Sequence, residues 1–118
     1  MKNSIIINQK EFRQIEINDN YFISCDGEIY SKYSQRILKC QIQRADGKEY
    51  KRVDFYVNEK KRHLMVHRLV FETWVRPLKK GEQVNHLDDN SLNNHYKNLY
   101  AGTQKENIQD CVRNKHRV

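Results

Sequence analysis

The sequence has no apolar run near the roughly 18 residues of a membrane span, and no signal-peptide pattern opens it. Ile5-Ile6-Ile7 is too short for either and reads as a strand. No Cys-x-x-Cys pair occurs, and the three cysteines, Cys25, Cys40 and Cys111, are odd in number and widely spaced. A zinc knuckle and a disulfide framework are therefore both unsupported, which leaves small buried or surface thiols. Internal repeats and low-complexity linkers are absent too. What remains is the composition of a folded, cytoplasmic chain of 118 residues with a thin core, 37% apolar with twelve aromatics spread along its length.

The net charge of +7 is unevenly placed. Residues 1–59 carry ten Lys and Arg against nine Asp and Glu, whereas residues 60–118 carry twelve against six. A basic surface releases counterions when it meets phosphates, so the second half is the part expected to face a polyanion.

The first half reads as short strands and turns. Tyr21–Cys25 and Glu28–Ser31 flank Asp26-Gly27, a two-residue signal for a tight hairpin. Ile37–Cys40 suggests a third strand, and Asp46-Gly47 a turn before a strand over Tyr50–Val57. A basic turn, Lys60-Lys61-Arg62, is expected before a last strand, His63–Val66. From His67 the period changes: Leu69, Val70, Thr73 and Trp74 recur at helical spacing up to Pro77 and Gly81, and they read as core. Then come a strand at Gln83–His86, a polar loop over Asp88–Tyr96, and a strand at Asn98–Ala101. Thr103 and Glu106 fit a capping box, predicting a helix from about Gln104 to Val112. The fold class expected is α+β, divided into a strand-rich module over 1–62 and a second part over 63–118.

The stretch from Gln83 to Asn107 carries the chemistry. Asn85-His86 stands at a strand end, Asn93-Asn94 in a loop, Asn98-Leu99 opens the next strand, and Thr103-x-x-x-Asn107 begins a helix. This order closely resembles the HNH motif of phage-type homing endonucleases, and Val66–Val70 resembles the helix start that leads into it. The strand-rich first half looks like the small module often found ahead of that motif.

The resemblance implies a ββα-metal site in the C-terminal half, holding one divalent ion, Mg²⁺ or Mn²⁺, and hydrolysing double-stranded DNA to 5′-phosphate and 3′-hydroxyl ends. His86 matches the general base, since an imidazole titrating near about 6.5 can accept a proton from water at neutral pH. Asn98 matches the residue whose side-chain carbonyl holds that imidazole. Asn85 and Asn107 match the metal ligands. Many relatives carry Asp where this chain has Asn85. An amide oxygen binds a hard cation without the charge that tightens it, so affinity is expected to lean on substrate phosphate, or on Asp88 or Asp89. Asn85 and His86 are adjacent, and neighbours on a strand point to opposite faces, so sharing a site requires the strand to bend or end there.

Arg68, His67, Lys105, Lys61 and Arg62 are the candidate DNA contacts, although capping or packing suits His67 better. His63, His95 and His116 read as solvated, with His95 near enough the loop to touch DNA. Larger family members carry a further C-terminal DNA-reading segment. With the sequence ending at Val118, low or short sequence specificity is the expectation, in a monomer or weak homodimer without membrane attachment. Two other readings stay open: a nucleic-acid-binding module with a decayed HNH centre, and a factor whose basic face binds an acidic protein.

Overall fold

The computed structural model describes residues 3–103. Five strands, β1 (Ser4–Ile7), β2 (Lys10–Gln14), β3 (Tyr21–Ser24), β4 (Ile29–Ser31) and β5 (Arg36–Leu38), pair in sequence order as an antiparallel sheet. Strands β6 (Gln41–Ala45), β7 (Lys48–Val57) and β8 (Lys60–Met65) form a second antiparallel sheet. Helix α1 (Val66–Trp74) follows directly, and β9 (Glu82–His86) then pairs with β10 (Leu99–Thr103). The expected mixture of short antiparallel strands and a helix is therefore present. The helix expected from about Gln104, which would complete a ββα unit, lies outside the described residues.

Three of the hairpins close through two residues that both have positive φ: Asn8-Gln9 (51° and 66°), Asp46-Gly47 (52° and 77°) and Asn58-Glu59 (51° and 67°). Such turns match the right-handed twist of the flanking strands. The third corrects the sequence reading. The turn lies at Asn58-Glu59, and Lys60, Lys61 and Arg62 belong to β8, where they pair with Val57, Tyr56 and Phe55. Asparagine tolerates the left-handed conformation that the turn demands, whereas the basic run is only polar.

Helix α1 forms because its apolar side chains share one face. Val66, Leu69, Val70 and Phe71 are all buried, together with Thr73. That face meets Ile15, Ile23 and Ile29 of the first half, Val53 and Phe55 of β7, and Val84 and Leu99 of the β9–β10 pair in one cluster. The apolar core is thus continuous across residue 62, and β8 itself spans Lys60–Met65. Trp74 fastens the helix to the first sheet by donating from Nε1 to the Ile23 carbonyl at 3.0 Å. The Arg13 guanidinium covers its ring at 3.9 Å and Tyr96 stacks on it at 5.7 Å. No helix among the described residues is long and apolar enough to cross a membrane.

Candidate active site

β9 ends at His86, which pairs with Leu99, while Asn85 pairs with Tyr100. Because the strand stops there, both residues line one cleft of about 370 Å³, with Tyr50, His67, Arg68 and Asp89 among the other walls. The strand end removes the alternation that would otherwise have separated Asn85 from His86.

The His86 ring is held by Asn94. Its Nε2 lies 2.8 Å from Asn94 Oδ1, and Asn94 is buried, only 2% exposed. An amide oxygen is an acceptor alone, so this contact places the imidazole proton on Nε2 and leaves the lone pair of a neutral ring on Nδ1. The other amide atom, Asn94 Nδ2, is buried without a hydrogen-bond partner among the described residues.

Behind His86 stands His67, with ring centroids 5.1 Å apart, and Tyr50 lies 5.5 Å from His67 and 6.4 Å from His86. His67 Nδ1 is buried without a hydrogen-bond partner among the described residues. Burial, with smaller contributions from His86 and Arg68, pushes the His67 imidazole down to about 4, so it is neutral at physiological pH. A neutral ring there can sit against His86 without repelling it.

Asn98 does not take the place expected of it beside the imidazole. It lies in a short 3₁₀ turn, Tyr96–Asn98, before β10. Its Nδ2 donates to Asp88 Oδ1 and to the Asn93 carbonyl, both at 2.9 Å, and its Oδ1 accepts from the Asp88 amide at 3.2 Å. Its side-chain hydrogen bonds therefore close the loop, and the contact with the His86 ring belongs to Asn94. The spacing of asparagines in the sequence showed several candidates, and only the loop's path selects among them.

Asp88 is consumed by the same loop. Its carboxylate accepts from the Asn90 amide and Asn98 Nδ2 through Oδ1, and from Asn93 Nδ2 through Oδ2, all at 2.9 Å. These donors hold it down to about 2. Of the two aspartates that could supplement Asn85, Asp89 is the one that lines the cleft. Among the described residues no group of three or more His, Cys, Asp or Glu could hold a metal, and Asn85 and Asp89 are among the oxygen-bearing residues that line the cleft.

The remaining candidates divide. Arg68 is at the cleft, its Nε 3.0 Å from Glu72 across one helical turn. Lys61 and Arg62 are exposed on β8 and do not line the cleft. Lys105 and Asn107 lie outside the described residues, as do Cys111 and His116. Two histidines read as solvated have partners: His63 Nδ1 sits 2.7 Å from Asp54 Oδ1, and His95 Nε2 3.8 Å from Cys25 Sγ. Among the described residues Cys25 and Cys40 form no disulfide.

Residues 64–109, which contain the cleft strand, the asparagine loop and β10, match the family model described as HNH endonuclease. Residues 64–109 are thus an HNH endonuclease segment. An uncharacterized HNH endonuclease of Acanthamoeba polyphaga mimivirus is 33% identical over 104 residues, covering 88% of this chain and 31% of the relative. The DNA endonuclease I-HmuI of Bacillus phage SP01 is 37% identical over 91 residues, covering 77% of this chain and 51% of the relative. A solved structure, of DNA binding and cleavage by the HNH homing endonuclease I-HmuI, superposes with a TM-score of 0.77 at 33% identity. That match covers 88% of this chain and 59% of the solved one. The chain thus spans about half, or less, of the curated relatives' length.

Proposed function

We propose that this chain is a divalent-metal-dependent endonuclease that hydrolyses phosphodiester bonds of double-stranded DNA, by nicking or double-strand cleavage with low or short sequence specificity. The observation that carries the reading is the His86–Asn94 contact at 2.8 Å in the cleft shared with Asn85. With Nε2 turned to Asn94 Oδ1, Nδ1 is the ring nitrogen left to accept a proton, as a general base requires. His86 then takes a proton from water as the water's oxygen attacks phosphorus. The P–O3′ bond breaks and the departing O3′ takes a proton from solvent water, leaving 5′-phosphate and 3′-hydroxyl ends.

The oxygen donors of Asn85 and Asp89 fit a hard cation such as Mg²⁺ or Mn²⁺, with Asn107 the further ligand carried by the family resemblance. When bound, the ion supplies charge stabilisation for the phosphate and the departing oxygen. In this reading residues 1–62 support the centre and residues 63–118 contain it, over one shared core. Arg68 at the cleft, His67 in its wall, Lys105, and Lys61 and Arg62 on β8 are the proposed DNA-facing residues. Phosphate contacts dominate binding by a host-cytoplasmic monomer or weak homodimer.

The deciding experiment is plasmid cleavage with Mg²⁺, Mn²⁺ or EDTA, using the native chain and His86→Ala. Cleavage should need metal and fall by about 10²–10⁴-fold in the variant. Equal activity of the two proteins would remove His86 from its role. The neutral amide at Asn85 favours one second reading, a DNA-binding module without catalysis. Tight binding with no cleavage under any of these ions would establish it.

A further inference from the structure

We infer that Asn94 is the positioning residue for the His86 base, and that the Gly27 turn of the first sheet holds Asn94 in place. The inference rests on the reading of His86 as the base. Asn94 is 2% exposed, and its Oδ1 is 2.8 Å from His86 Nε2. Its Nδ2 has no hydrogen-bond partner among the described residues. A buried amide that leaves its own donor unpaired while accepting from one imidazole is oriented for that imidazole.

Packing against Asn94 comes from the other half of the chain. A Cβ built on Gly27 would stand 3.3 Å from Asn94 Cβ and 2.9 Å from Val66 Cγ1, so the bare glycine backbone is the surface against which both side chains rest. Gly27 has φ of +96° and lies in the turn between β3 and β4. The turn is rigidly tied. Its Glu28 amide donates to Ser24 Oγ at 2.9 Å, Ser24 Oγ donates to Asp26, and Lys10 Nζ of β2 bridges Asp26 and Glu28. Beside it, the Tyr96 amide donates to the Cys25 carbonyl at 2.8 Å. The loop carrying Asn94 is therefore tied to the Cys25 carbonyl at Tyr96, two residues after the contact. The imidazole tautomer is set by residues more than sixty positions apart.

The test uses the full chain with Mg²⁺ and plasmid DNA under single-turnover conditions, with DNA affinity measured in EDTA and folding by thermal melt. Asn94→Leu keeps the volume and removes the acceptor. Asn94→Asp keeps the oxygen and sacrifices no hydrogen bond, because Nδ2 makes none. We expect N94L to slow cleavage by roughly 10–100-fold, the usual loss for a partner that orients a functional histidine, with DNA affinity unchanged. N94D should cut within a few-fold of native. In a His86→Ala background, N94L should cost nothing more, since it acts through a ring no longer there.

Native-rate cleavage by N94L would overturn the proposal, as would the same loss repeated in the His86→Ala background. If N94L does not fold, a folded N94D as slow as His86→Ala overturns it and near-native cleavage by N94D upholds it. Native-rate cleavage by His86→Ala alone would fail the base reading instead, which separates the two conclusions.

Discussion

Asn98 and Asp88 clasp the two ends of the polar loop: Asn98 Nδ2 donates to Asp88 Oδ1 at 2.9 Å while Asn98 Oδ1 accepts from the Asp88 amide at 3.2 Å. Asn98 also holds the Asn93 carbonyl at 2.9 Å, one residue before the partner of His86. The loop's shape, and through it the placement of Asn94, depends on this one amide. Asn98→Ala removes all three hydrogen bonds and should cost about 1–3 kcal/mol, given that net contributions are modest and not additive. Cleavage should fall with it, while Asn94→Leu should slow cleavage without a comparable loss of stability. Urea unfolding and single-turnover cleavage on the same preparations check the contrast.

Gly27→Ala should be among the most damaging small substitutions in the first half. The new methyl meets Val66 Cγ1 at 2.9 Å, and φ of +96° is unfavourable to any L side chain. Strain and overpacking together predict a loss of about 2–4 kcal/mol. Ala at Gly47, where the added Cβ meets nothing within 4 Å, carries only the conformational cost of its φ of +77°. Comparing the two by urea denaturation separates packing against the catalytic loop from turn preference.

His67 should make stability fall with acid in a window above that of the carboxylates. Its folded value of about 4 lies below the ordinary 6.5, so the unfolded chain binds the proton more readily. The stability this provides is complete above about pH 6.5 and is lost as pH falls through 4, up to about 3 kcal/mol. Asp88, held at about 2, loses its contribution only as pH falls from 3.8 through 2. His67→Leu should therefore flatten the stability profile between pH 6.5 and 4 and leave the steeper acid limb. Urea midpoints across that range give the answer, and an unchanged slope would exclude His67 as its source.

Lys61 and Arg62 should affect binding and not chemistry, because they stand on β8 outside the cleft lining. Replacing both by Ala should reduce the slope of log affinity against log salt by about 2 if each neutralises one phosphate. The rate of bound-substrate cleavage should stay native. A salt titration of gel-shift affinity, paired with cleavage at saturating protein, distinguishes the two effects.

Much of the local structure was legible in the residues. Asp46-Gly47 marked its two-residue turn, and the spacing of Leu69, Val70, Thr73 and Trp74 marked α1. Asp26-Gly27 marked a turn that is wider than the two residues expected, because β3 ends at Ser24 and β4 begins at Ile29, and only Gly27 of the pair has positive φ. Turns without glycine were harder. Asn8-Gln9 closes the β1–β2 hairpin with no strong signal, and at Asn58-Glu59 the neighbouring basic run drew the turn two residues too far along. In both, strand pairing makes affordable a backbone conformation that local preference alone would not select.

Local chemistry in the sequence determined the kind of centre: a histidine at the end of a short strand, with asparagine before it and an asparagine-rich loop after it. Tertiary structure decided which asparagine serves the histidine. Asn94 and Asn98 are equivalent in residue type, and both lie near His86 in the chain. The clasp on Asp88 turns Asn98 toward the loop, and burial against Gly27 turns Asn94 toward the imidazole. That choice depends on a turn 67 residues away, because side-chain direction is set by packing, which sequence spacing does not contain.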